Sequence, residues 1–117
     1  MGPITLLKNF TFALAPSQTF TTDWVSFPSE HINAVLQSHL QSLTPAPATT
    51  GVKIQLETSY DTVAHPTVGT GITTTTTGSP AESLSSDLGP LVRVVITNTD
   101  TNSLHGTVSV FLQPKSD

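Results

Sequence analysis

The chain has 117 residues, a formal net charge of −4 and four basic against eight acidic side chains, so only 10% of positions are charged, where about 25% is usual in a soluble domain. Thr (21) and Ser (13) fill 34 positions, and Cys is absent. Disulfides, thiolate metal sites and thiol catalysis are therefore excluded. The scattered Lys8, Lys53, Arg93 and Lys115 make no nucleic-acid footprint, and no apolar run approaches the roughly 18 residues of a membrane-spanning helix.

The length fits one domain, 1–117. No basic stretch followed by an apolar one opens the chain, so no signal peptide is expected. Disorder goes with high charge and few β-branched residues, the reverse of this composition. Phe10, Phe12 and Leu14 alternate with Asn9, Thr11 and Ala13, predicting a strand over Ile4–Leu14. The apolar start Ile4, Leu6 and Leu7 also suits an arm reaching a neighbouring subunit. Residues 1–15 thus read as first strand or N-terminal arm, with Ile4, Leu6 and Leu7 as candidate partner contacts. Thr19–Phe27 reads as a second strand between Pro16 and Pro28.

Ser29–Leu43 fits two periods. Ile32, Val35, Leu36, His39, Leu40 and Leu43 make a helical stripe, with Ser29 as cap. Ile32, Ala34, Leu36 and Leu40 also fit a strand. Periodicity alone favours the helix slightly. The Pro-rich Thr44–Gly51 is a loop. Val52, Ile54 and Leu56 then alternate with Lys53, Gln55 and Glu57 in a half-buried strand. Gly69–Gly78, with five consecutive Thr, is an edge strand or an extended loop, and 81–86 allows a short helical turn. Leu91–Asn98 and Gly106–Gln113 read as a hairpin with a long polar tip, stopped at Pro114, with 114–117 as a tail. Seven or eight short strands with Pro/Gly punctuation predict an all-β, single-domain antiparallel β-sandwich, jelly-roll-like.

No constellation of reactive groups stands out. A serine nucleophile needs a base and a presenting turn. Gly-x-Ser-x-Gly is absent, and the nearest cluster, Asp100 with Ser103 and His105, has the residue types of an ordinary turn. His31 with His39, and Glu57 with Asp61, match no metal spacing. Gly69-Thr70-Gly71 lacks the Gly and Lys of a phosphate loop. No catalytic residue, metal ligand or cofactor is assigned. Trp24, Tyr60 and the five Phe are read chiefly as core, with a sugar-binding platform as the alternative where they are exposed. Arg93 is expected on the wetter face of its strand, paired with a carboxylate or in contact with a partner subunit.

Two stretches carry a resemblance. One is Val52–Asp61, ending Glu57-Thr58-Ser59-Tyr60-Asp61. The other is Leu88–Ile96, with Val92-Arg93-Val94, followed by Gly106–Leu112. Together they resemble small β-sandwich capsid decoration (cement) proteins and related virion proteins of tailed bacteriophages. The likeness extends loosely over 34–112. It departs after the turn, where Thr62 and His65 stand in place of the family's Gly and Trp. The resemblance implies a strand over Ile32–Leu43. It also implies a non-enzymatic structural protein on the capsid surface, with the major capsid protein as partner and a homo-oligomer, trimer favoured. No nucleic acid or membrane partner is expected. A tail or baseplate module and a carbohydrate-binding adhesion sandwich are the alternatives.

Overall fold

The computed structural model describes residues 5–26, 34–44, 50–61, 63, 67–84 and 90–114. Among them are nine strands and no helix: β1 (Thr5–Leu14), β2 (Thr19–Thr21), β3 (Val25–Ser26), β4 (Ala34–Thr44), β5 (Val52–Ser59), β6 (Thr67–Thr74), β7 (Ala81–Leu84), β8 (Leu91–Asn98) and β9 (Leu104–Pro114). They form two antiparallel sheets. The first runs β1-β9-β4-β7, and the second runs β2-β8-β5-β6, with β3 also on β8. Most connections cross from one sheet to the other, which is the jelly-roll path.

Period-two alternation builds the core. Leu36 and Leu40 of β4, Ile54 and Leu56 of β5, Val92, Val94 and Ile96 of β8, and Val108, Val110 and Leu112 of β9 are all buried between the sheets. Their sequence neighbours face out, because successive strand residues point to opposite sides. β2 and β3 are two pieces of one strand position, since Thr21 faces Val95 and Val25 faces Val92. That spacing inserts one extra residue. Thr22 spans the bulge by donating its N–H to the Val94 carbonyl (3.0 Å) and accepting the Val94 N–H on its hydroxyl (3.0 Å).

The ambiguous segment is strand over Ala34–Thr44, paired with β9 along its length and with β7 at its start. Residues 29–33 lie outside the described residues. The helical stripe gives way because Val35 and His39 belong to the outer face, while Ala34, Leu36, Ser38 and Leu40 face the core. Ladder bonds on both sides outweigh a marginal local preference. The helical turn allowed over 81–86 is corrected likewise over Ala81–Leu84, which is β7 on the edge of β4, while residues 85–86 lie outside the described residues. The expected hairpin of Leu91–Asn98 with Gly106–Gln113 is also corrected. β8 pairs with β5 and β9 with β1 and β4, so the polar tip is an arch between sheets. Sequence alternation is the same for a hairpin and an arch, and only long-range pairing separates them.

A buried polar hub forms that arch. Asn98, fully buried, donates through Nδ2 to the carbonyls of Leu14 and Asn102 (2.9 Å each) and accepts the Asp100 N–H on Oδ1 (2.8 Å). Asp100 accepts the Thr50 N–H at 2.6 Å, and Thr99 donates its N–H and its hydroxyl to the Gly51 carbonyl. The β1–β2 turn, the approach to β5 and the β8–β9 arch are thereby tied at one end of the sandwich. At a strand edge, Glu82 of β7 accepts the N–H groups of Thr70 (2.9 Å) and Gly71 (3.2 Å) and the Thr70 hydroxyl (2.8 Å). This clasps β6 of one sheet to β7 of the other.

Candidate functional site

The polar and charged groups divide by location. On the outer face of the second sheet, Arg93 of β8 stands opposite Glu57 of β5, and Arg93 Nε donates to Glu57 Oε1 at 2.7 Å. The guanidinium also lies 4.3 Å from the ring centroid of Trp24, which the bulge between β2 and β3 turns onto this face. The expected pairing of Arg93 with a carboxylate is therefore present. Lys53 and Gln55 continue the face along β5, and Gln55 Nε2 donates to the Gly69 carbonyl (3.0 Å). The Glu57–Asp61 stretch ends in a turn that uses its own side chains. Ser59 Oγ donates to Asp61 Oδ1 (3.3 Å) and accepts the Asp61 N–H (3.2 Å), and Asp61 Oδ1 takes the Val63 N–H (2.9 Å). The residues that carry the resemblance are thus turn and packing residues.

The outer face of the first sheet differs in kind. Its outward positions include Asn9, Thr11 and Ala13 on β1, His105, Thr107, Ser109, Phe111 and Gln113 on β9, and Val35, Gln37 and His39 on β4. Among the described side chains none here is an acid, a Lys or an Arg. Phe111 and Val35 are half-buried, Ser109 is buried, and His39 Nδ1 shares a 2.7 Å hydrogen bond with Ser79 Oγ. Three long strands of about ten residues give this face a projected area of about 500 Å². It offers amide, hydroxyl and imidazole groups around a small apolar patch, at little cost in desolvated charge.

The candidates read from the sequence do not converge on chemistry. Asp100 is committed to the hub, where its carboxylate bonds Thr50 and Asn102. Its carboxyl is held below the ordinary 3.8, chiefly by the Thr50 N–H, with the Gly51 and Asn102 N–H groups and the Thr50 hydroxyl adding to this and desolvation opposing it. Ser103 and His105 are exposed beside it and are not among its partners. Among the described residues no three His, Asp or Glu side chains gather as metal ligands. His31 lies outside the described residues. So does Ile4, while Leu6 sits opposite Phe111 in the β1–β9 ladder and Leu7 at the register shift beside it. The core assignment of the aromatics is partly corrected. Phe12 is buried, but Trp24 is half-buried on the outer face, Phe20 is 40% exposed and Tyr60 64% exposed. Glu82 and Asn98, which position loops and edges, were not singled out by sequence. The Asn98-x-Asp100-x-Asn102 spacing was the available signal for the second, and no local signal marks the first.

No family model matches this chain, and no curated protein matches it. Among solved structures, the chain is similar to TmCBM61, a carbohydrate-binding module determined in complex with β-1,4-galactotriose, with a TM-score of 0.45 and 12% identity over 97% of this chain and 88% of that one.

Proposed function

We propose that this chain is a non-enzymatic structural protein of a virion, a capsid decoration protein that binds the outer surface of the shell and stabilises the major capsid protein lattice. The observation that carries the reading is the outer face of the first sheet, which shows no acid, Lys or Arg among the described side chains. Depletion of charge with retained aromatic and amide groups is the composition of an interface core. The resemblance of Val52–Asp61 and Leu88–Ile96 to phage decoration proteins agrees with it.

The mechanism is mass action. A protein that binds assembled lattice and not free subunits shifts the equilibrium away from disassembly. Repeated contacts around a cyclic oligomer multiply modest affinities. A trimer bound by three copies of this face is the favoured arrangement. The test is to strip the protein from purified capsids and add it back. Loss of heat resistance on stripping and recovery on re-addition are expected. Capsids that keep both heat resistance and surface density when the protein is removed would defeat the proposal, and labelled protein found at the tail would move it to a tail or baseplate module.

A second reading has its own observation. Trp24 on the outer face of the second sheet, with Arg93 and Glu57 beside it and Tyr60 exposed beyond the end of β5, suits stacking of a sugar ring with polar groups at its rim. Saturable quenching or shift of the single tryptophan's fluorescence by an oligosaccharide would select this reading.

A further inference from the structure

We propose that the free edge of β1 is a docking edge for a second copy of this chain, joining two sandwiches through antiparallel β1–β1 pairing into one continuous sheet. An exposed strand edge is a row of unpaired N–H and C=O groups, and natural sheets blunt it with short strands, bulges, Pro or charge. Among the described residues, the other three edges are blunted. β7 has four residues. β6 is irregular opposite Gln55, where Gly69–Gly71 bulge, and its Thr70 and Gly71 N–H groups are taken by Glu82. The β2/β3 edge is three residues and two, interrupted by the Thr22 bulge.

β1 is unlike these. It is ten residues long and pairs only with β9 among the described residues. Its one irregularity lies at Leu7, and Lys8 to Leu14 then run in unbroken register with β9. The strand contains no Pro and one charged residue, Lys8.

The occupant follows from symmetry and charge. An antiparallel edge is its own complement, because a two-fold axis through its middle sets each donor against an acceptor of the identical strand. Pairing over Lys8–Leu14 supplies about seven interchain hydrogen bonds. With the axis at Thr11, Lys8 of one copy faces Leu14 of the other, and the two lysines stay about 20 Å apart. That exceeds the roughly 8 Å screening length at physiological salt. Neither strand carries an acid that would need a basic partner. A further consequence, which rests on the virion reading, is that the uncharged face doubles to about 1,000 Å², past the roughly 800 Å² per partner of a standard interface. The pairing itself does not rest on that reading.

The chain lacks Cys, so single-cysteine variants report proximity cleanly. Asn9→Cys, Thr11→Cys and Ala13→Cys are exposed positions on β1, and Thr73→Cys on β6 is the control. The wild-type protein is expected to sediment with twice the chain mass, or with six times it where the β1 pairing joins two of the proposed trimers. Oxidation should link Thr11→Cys to itself and Asn9→Cys to Ala13→Cys in a mixture, as covalent dimers, and leave Thr73→Cys unlinked. Cross-strand Cα spacings of about 4.5–5.5 Å are within disulfide reach. A double variant, Asn9→Lys with Thr11→Lys, should halve the mass while keeping the β circular dichroism. A wild-type protein that stays a single chain at every concentration tested would overturn the inference, as would an assembly in which β1 cysteines link no better than the control. No capsid enters the experiment, so its failure leaves the face-binding proposal to its own test.

Discussion

Replacing Asn98 by Ala tests whether the polar hub holds this end of the sandwich. Asn98 is fully buried, and its amide joins the Leu14 carbonyl, the Asn102 carbonyl and the Asp100 N–H. The Asn102 carbonyl is close enough to the surface to rebond to water, whereas the Leu14 carbonyl and the Asp100 N–H lose a partner in buried surroundings. Each orphaned buried group costs about 1–3 kcal/mol, so Asn98→Ala should lose about 3–4 kcal/mol. In a domain of this size that lowers Tm by roughly 12–20 °C. Asn98→Asp keeps the acceptor for the Asp100 N–H, forfeits both donors and adds charge beside Asp100, so it should be at least as destabilising near neutral pH. Asn102→Ala is the comparison, because its side chain is exposed and reaches Asp100 only at 3.4 Å. Urea unfolding followed by tryptophan fluorescence measures all three. A loss below about 1 kcal/mol for Asn98→Ala, at unchanged m-value, would refute the assignment of the hub as a structural keystone.

Three further outcomes are expected. Asp100 has a folded-state carboxyl below its ordinary 3.8, so its contribution is present above that value and is lost as pH falls through the folded one. The stability gap between wild type and Asp100→Asn, measured by urea midpoint, should therefore narrow below about pH 3.8 and be constant at higher pH. Gly106→Ala places a methyl onto the Ser42 carbonyl oxygen at the irregular part of the β4–β9 ladder, and a loss of about 3 kcal/mol or more in thermal unfolding follows from overpacking against backbone. In a double-mutant cycle of Trp24→Leu and Arg93→Met, the coupling should be about 0.5–1 kcal/mol, the range of a partly exposed cation–π contact, and zero coupling would remove that stack from the stability of the face.

Much of the fold was legible because strands with one wet face announce themselves by alternation. Val52, Ile54 and Leu56, then Val92, Val94 and Ile96, then Val108, Val110 and Leu112 are core residues as the pattern required. Ser29–Leu43 was not legible, because its apolar spacing satisfies two periods and the decision lay with β9 and β7 on either side. The hairpin of β8 with β9 was misread for a related reason. A turn-rich tip such as Thr97–Leu104 serves a ladder or an arch equally well, and the Asn98 bonds to Leu14 belong to residues 84 positions apart. The candidate face was only indirectly visible. Low overall charge was plain, but its segregation was not, since Lys53, Glu57 and Arg93 come together through strand order alone.

The sequence by itself determined that this chain is an all-β domain with no thiol chemistry and few charges, because composition and two-residue periodicity are local properties. Only the tertiary structure decided which strands neighbour which, where the few charges gather, that Trp24 and Tyr60 are not core, and that among the described residues β1 is the long edge with one partner strand. Those depend on pairings between distant segments, whose free energy no local pattern records.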